Sequence, residues 1–365
     1  MRRAVILAAL VAALLAVPAR ADELNAEQYE LFGAGEVDAS VPDSARDAIG
    51  DAGIADALEP EGMFGRLWDA LLEKLDGLWS GAAAAAVKLI AIAALVSACS
   101  AFANESTRRY VSMAGCLAVA AAAFGDAGEW ISAGAEAIED ISEFSHALLP
   151  CLTATAAAGG MAASAAARYA ATSLFMDVFI TLSKSLLLPM AYAMLALRTA
   201  AAALGSDALD GAGKLIKWLS GVLTAAVMTA FTLYLSLSGA VTGAADALTS
   251  KAAKTAISAA LPVVGGIISD AAGTLVAGAG LLRSAVGAFG AVVIAGICLA
   301  PFLALGLRYL LYKAASALAG CFADKPIAGL IGDVGSAFAM VLGVTGACAA
   351  MLFISVISAV KAVSG

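Results

Sequence analysis

Residues 82–109 read AAAAAVKLIAIAALVSACSAFANESTRR. The stretch from Ala82 to Ala103 carries a single charge, Lys88, and then breaks into a polar turn that ends in Arg108 and Arg109. A helix needs about 20 apolar residues to cross a hydrocarbon layer about 30 Å thick. In lipid the backbone must satisfy its own hydrogen bonds, which a helix does within one segment. The stretch therefore predicts a transmembrane helix, with the arginine pair holding its far end on the cytoplasmic side. Working outward, similar apolar stretches recur at 110–124, 148–167, 174–204, 216–245, within 285–312 and within 338–360. The reading is an all-α polytopic integral membrane protein with about seven transmembrane helices, amphipathic surface helices and a candidate re-entrant hairpin.

Composition agrees. Of 365 residues, 62% are hydrophobic and only 14% charged, and the mean hydropathy is +0.92. Soluble domains carry about 25% charged residues and less apolar content. The six cysteines are scattered through apolar stretches with no C-x-x-C pair, and there is one histidine, His146, so a metal site is not expected and none of the cysteines is assigned chemistry.

The amino terminus predicts export. Arg2 and Arg3 precede a short apolar run, Ala4 to Val17, and Ala19-Arg20-Ala21 fits the small-x-small cleavage rule. Residues 1–21 are read as a signal peptide, 22–80 as an acidic extracytoplasmic segment with an interfacial helix, and 81–365 as the multi-span membrane domain. The expected mature terminus is Asp22; sequencing the amino terminus of the purified protein checks this, and a chain that retains Arg2 and Arg3 contradicts it. Residues 22–80 hold 15 acidic against 3 basic residues, and the whole chain carries −8. That balance argues against nucleic-acid binding, which needs a basic face. Phe64, Leu67, Trp68, Leu71, Leu72, Leu75, Leu78 and Trp79 recur at helical spacing, which predicts a surface helix leading into the first span. Residues 125–146 have six acidic and no basic residues beside an apolar face of Trp130, Ile131, Ile138, Ile141 and Phe144, which predicts a second helix on the outer surface.

Charges inside apolar stretches are costly, and they are usually paired or functional. Asp177 and Lys184 are seven residues apart, on one helical face, with Arg198 following. They would pair or line an aqueous path, unless Lys184 and Arg198 snorkel from the ends of two helices hinged near Pro189. Beyond the second span the basic residues leave orientation open: Lys217, Lys251, Lys254, Arg308, Lys313 and Lys325 cannot all lie on one side under simple alternation. Glycine and alanine stripes, such as Gly239 with Gly243, let helices approach closely, within the chain or in self-association and docking of other membrane subunits. Catalytic and cofactor motifs are missing, so no enzyme and no cofactor are expected.

The most distinctive segment is 251–287, KAAKTAISAALPVVGGIISDAAGTLVAGAGLLRSAVG. Lys254, Pro262, Gly265, Gly266, Asp270 and Arg283 punctuate a helix–Pro–Gly-Gly–helix pattern that fits a broken re-entrant hairpin or an interfacial helical hairpin equally. Here the sequence resembles the stage III sporulation protein AE family. The resemblance rests on Leu261-Pro262-Val263-Val264-Gly265-Gly266, Ser269-Asp270, Leu281-Leu282-Arg283 and Val286-Gly287, with weaker echoes at Leu148-Leu149-Pro150, Leu187-Leu188-Pro189, Tyr312-Lys313-Ala314-Ala315 and Gly332-Asp333. It extends from about Trp68 to the carboxyl terminus. It departs from the family in Ala259-Ala260-Leu261 before the proline and in Arg283 where the family has lysine.

The resemblance implies a subunit of a secretion-like channel complex in the mother-cell membrane facing the forespore, supporting late forespore gene expression. It implies partners from the same operon, including a secretion-type ATPase and ring-forming proteins. The alternatives are a stand-alone secondary transporter of a small solute, using Asp177, Lys184 and the hairpin, and a membrane scaffold without transport activity. No matched pair of broken segments in the two halves supports a transporter repeat.

Overall fold

The computed structural model describes the backbone of residues 26–58, 60–260 and 265–361; side chains are described outside 26–28, 58–61, 239–277 and 361. The signal-peptide expectation and Pro262 lie outside the described residues, as do the side chains of Lys254 and Asp270. Every regular element among the described residues is helical. Three short helices, α1 (Ala26–Leu31), α2 (Ala34–Ala39) and α3 (Asp43–Ile49), and a 3-10 turn at Ile54–Leu58 precede the long ones. These are α4 (Pro60–Phe102), α5 (Glu105–Ala156), α6 (Ala162–Leu182), α7 (Leu188–Leu204), α8 (Asp207–Ala260), α9 (Gly265–Ala319) and α10 (Lys325–Lys361).

Among the described residues, five helical runs are long and apolar enough to cross a membrane: Gly62–Phe102, Glu105–Leu204, Asp207–Ser238, Gly278–Ala319 and Lys325–Val360. The second run doubles back. Gly160 has φ 85°, inside the π-helical turn Ala157–Met161, a left-handed conformation that glycine adopts at no steric cost. Beyond it the chain returns along α5: Lys184 meets Glu139 and the Tyr192 hydroxyl meets the Gly128 carbonyl. The returning leg contains a second π-helical turn, Ser183–Leu187, just before Pro189 in the first turn of α7.

The long elements therefore form six legs, and contacts between neighbours step in opposite directions. Gly115 faces Val96 across α4 and α5. Asp210 and Phe231 on α8 meet Arg198 and Phe175 on the preceding leg. Tyr312 and Gly287 on α9 meet Gly335 and Val360 on α10. Three turns, at 103–104, 205–206 and 320–324, thus share one end of the bundle. Gly205, with φ 68°, caps α7 there and donates its N–H to the Ala201 carbonyl. Across this end the Ser97 hydroxyl donates to the Phe322 carbonyl at 2.7 Å, and Arg108 pairs with Asp324 at 2.8 Å.

Two apolar clusters fill the bundle. The one near the three turns joins Leu89, Val119, Met194, Ile331, Val334 and Phe338. The other joins Ile138, Phe144, Leu148, Phe179, Phe289 and Leu352, and it also takes in Val37, Ala45, Ile49 and Ile54. The short amino-terminal helices thus bury their apolar side chains in the core of the bundle. Ser44 donates to Asp140 at 2.5 Å, and Ala45 packs against Gly296.

Two expected surface helices have a different form. Residues 64–79 are the first half of α4, which continues unbroken to Phe102, with Trp68 and Trp79 about half exposed. Residues 125–146 are the middle of α5, a single 52-residue helix about 78 Å long. Glu129, Glu136, Glu139 and Glu143 are exposed, whereas Asp126 and Asp140 are half-buried against other helices and Ile131, Ile138, Ile141 and Phe144 are buried. The basic residues also sort more simply than expected. Lys217, Arg308, Lys313 and Lys325 all lie on the segments flanking the three turns, with Arg108 and Arg109, whereas Lys251 and Lys254 lie toward the far end of α8.

Candidate functional site

A fully buried charge costs a great deal unless it is matched, so the charges inside this bundle are the places to look for built features. The most buried ion pair among the described residues joins α5 to α9. Asp126 on α5 faces Arg308 on α9, whose side chain is 6% exposed, with Nε donating to the two carboxylate oxygens at 3.0 and 3.2 Å. The Tyr312 hydroxyl donates to the same carboxylate at 2.8 Å. The Arg308 guanidinium lies 4.0 Å from the ring centroid of Trp130, a cation–π contact that strengthens away from water.

One turn closer to the three-turn end, a second network ties four helices. Arg198 at the end of α7 makes a two-pronged contact with Asp333 on α10, at 2.7 Å through both Nε and Nη2, and also pairs with Asp210 on α8. Lys214 joins Asp210 at 2.6 Å, one helical turn away. Lys313 on α9 donates to the Gly332 carbonyl at 2.8 Å and to the Ser336 hydroxyl at 3.0 Å. Outside the spanning runs, Asp38 ties the short helices together. It accepts from the Tyr29 hydroxyl and, at 3.0 Å, from the Ile54 N–H. Burial pushes its carboxyl above the usual range, against the Ile54 N–H and the charge of Arg46.

The structure brings few of the sequence-selected residues together. Lys184 pairs with Glu139 at 2.8 Å rather than with Asp177, because the fold-back at Gly160 lays Lys184 against the acidic face of α5. Asp177 is exposed on α6 and makes no ion pair among the described residues. Arg198, read as able to snorkel, is held in a network. Gly265 and Gly266 open α9, and residues 261–264 before them lie outside the described residues. Arg283 is buried at 2% exposure on α9, with Nε and Nη1 lacking a hydrogen-bond acceptor.

Sequence reasoning missed Asp126, Arg308 and Asp333 as partners. A signal for part of this was present: the weak echoes Tyr312-Lys313 and Gly332-Asp333 face each other, and Lys313 reaches across to the Gly332 carbonyl. Nothing in the networks resembles a nucleophile–base arrangement, and among the described residues no group of His, Cys, Asp or Glu could hold a metal.

Long apolar legs cross-tied by buried ion pairs define a helical membrane protein whose interior charges hold helices together. Residues 55–363 match the family model of stage III sporulation protein AE, and the chain belongs to that family. It is similar to the stage III sporulation protein AE of Bacillus subtilis strain 168, 27% identical over 199 residues, a match covering 54% of this chain and 49% of the relative. The chain thus spans about half the length of the curated relative it matches. No solved structure matches it.

Proposed function

We propose that this protein is a membrane subunit of a secretion-like channel complex that links mother cell and forespore and supports late forespore gene expression. The family match over residues 55–363 carries this reading. In it, the bundle crosses the mother-cell membrane several times, with the three basic turns in the cytoplasm and the mature amino terminus outside. The acidic helices α1–α3, docked on the opposite end of the bundle, then face the space between the two membranes. That places cytoplasmic contacts, such as a secretion-type ATPase, at the turns 103–104, 205–206 and 320–324. Ring-forming proteins of the same operon would meet the α1–α3 end. The chain works in this reading as a non-enzymatic scaffold or gate, with the bilayer as its main solvent. Of the charges on which the solute-transporter reading drew, Lys184 is paired with Glu139, which weakens that reading.

The test is purification of the full-length tagged protein from sporulating cells in mild detergent, with co-purifying proteins identified. Recovery of other proteins of the same operon is the expected result. A chain that purifies alone, in cells where those proteins are present and soluble in the same detergent, contradicts the proposal.

A further inference from the structure

Three contacts set several elements at one level of the bundle. Lys184 meets Glu139 on α5 at 2.8 Å, Ser44 on α3 meets Asp140 at 2.5 Å, and Asp47 on α3 meets Lys74 on α4 at 3.7 Å. At this level α3, α4 and α5 present exposed charges: Asp43, Asp47, Glu73, Glu136, Glu139 and Glu143. Charges at this density cannot line hydrocarbon, so this side of the bundle stands in water. Leu174 and Val178 precede Lys184 by 10 and 6 residues, which puts them about 15 and 9 Å farther from the three turns. Between them, the Phe175 ring packs against Phe231 and Tyr234 of α8, so Leu233 and Leu237 share that height. Leu174, Val178, Leu233, Tyr234 and Leu237 are all exposed, Leu174 at 62% and Leu237 at 68%. They lie on a different side from the charges, because α4 packs on α3, α5 and α9, whereas α6 packs on α5, α8 and α10. Water would leave these large apolar side chains bare. Lipid on this side alone would meet Asp177, which is exposed between Leu174 and Val178 with no ion pair among the described residues, and a bare carboxylate in hydrocarbon is costly. A protein surface suits both the apolar side chains and the charge.

We propose that the α6–α8 face around Asp177 docks a helix of another protein, apolar along one side and carrying a lysine or arginine that pairs with Asp177. Leu174 and Val178 are one turn apart on α6, and Leu233 and Leu237 one turn apart on α8. The two rows take the apolar ridge of a third helix between them, read by anchors one turn apart. Charge decides between such a partner and a second copy of this chain. Copies standing side by side in one membrane share their levels, so a copy would have to offer Asp177 a cation from near this height. The described cations there are engaged within the chain: Lys74 with Asp47, Lys184 with Glu139, Arg46 with the Asp38 and Val41 carbonyls, Arg66 with the Ile49 carbonyl and Arg168 with the Ser358 carbonyl. What a copy presents freely at this height is carboxylate, which Asp177 repels. A basic partner is attracted both by Asp177 and by the acidic surface around the neighbouring helices. The docking face is read from exposed side chains and shared levels, and it stands whether or not the channel reading holds.

The test places the photoreactive residue p-benzoyl-phenylalanine at position 174 or 237 of the full-length protein in the cells that make it, with position 95, exposed on α4 within the first span, as the control. Adducts are formed by light, and the cross-linked peptide is identified by mass spectrometry. The expected result is an adduct to another protein at 174 and 237 and none at 95. The captured peptide should have apolar residues at helical spacing and at least one lysine or arginine. D177N and D177K should accumulate like the wild type, because Asp177 is exposed and makes no ion pair among the described residues. D177K should lower the adduct yield by about tenfold or more, with D177N between. Changing the basic residue of the captured peptide to aspartate should restore the adduct in D177K. Adducts to lipid alone would overturn the proposal and mean that the bundle tilts to bury this face in the bilayer. An adduct joining two differently tagged copies would overturn it in favour of self-association. It is also overturned if the captured segment lacks a basic residue, if D177K leaves the yield unchanged, if the charge exchange restores nothing, or if D177N and D177K both fail to accumulate, since Asp177 would then serve the fold.

Discussion

Asp126→Asn will strongly destabilise the folded bundle. The substitution keeps the shape of the side chain but removes the charge that Arg308 faces at 3.0 Å. Arg308 stays buried, its Nη1 already lacks a partner, and Trp130 alone cannot replace a carboxylate. Breaking one side of a buried pair costs about 3–5 kcal/mol. Arg308→Leu should cost less than Asp126→Asn, because Tyr312 still donates to the carboxylate left behind, at 2.8 Å, and Asp126 is the more exposed partner. Replacing both with leucine should recover much of the loss, as buried pairs exchanged for apolar residues often do. Denaturation midpoints in detergent for the two single variants and the double variant measure this cycle. Single variants within about 0.5 kcal/mol of wild type would mean that the pair does not hold α5 to α9.

Gly134→Leu comes next in size. A β-carbon placed on Gly134 would sit 2.6 Å from a Val341 methyl and 3.3 Å from the Thr345 hydroxyl, and that hydroxyl donates to the Gly134 carbonyl at 3.3 Å. The α5 and α10 backbones approach closely here only because position 134 has no side chain. Leucine must push the helices apart, with an expected loss of about 1–3 kcal/mol or more. Gly125→Leu, on the same helix with nothing within 4 Å, serves as the control and should stay within about 0.5 kcal/mol of wild type. Equal behaviour of the two variants would contradict the packing of α5 on α10.

The all-helical membrane character was legible from residues 82–109 alone, because apolar length is a local property. The connectivity was not. Hydropathy treats Glu129, Glu136, Glu139, Asp140 and Glu143 as an exit from the membrane, so 125–146 reads as a surface helix between two spans. Its apolar face, however, has a neighbour along its whole length in α9 and α10, and the helix continues through. Conversely, 174–204 looked like a segment in need of a partner for Lys184. The partner, Glu139, comes from the preceding leg and meets it only once Gly160 reverses the chain. The Gly159-Gly160 break was visible; its left-handed φ, and hence the reversal, was not. Asp126 and Arg308 lie 182 positions apart, and nothing local in either stretch announces the other. Arg283 stood out from the sequence through the family resemblance, but its burial needed the packed bundle.

The arrangement of six alternating legs with all three basic turns at one end is the central claim, and side-specific labelling tests it most directly. Single cysteines at 106 and 206, the native Cys321, and cysteines at 51 and 136 are each placed in a background otherwise free of cysteine and probed in intact cells with an impermeant thiol reagent. Cys321 is exposed in the third turn, and residues 51 and 136 lie toward the opposite end, where Ser44 meets Asp140. The account predicts labelling at 51 and 136 in intact cells, and at 106, 206 and 321 only after the membrane is opened. Labelling of 206 or 321 from outside together with 136 would place the turns on different sides and contradict the six-leg bundle.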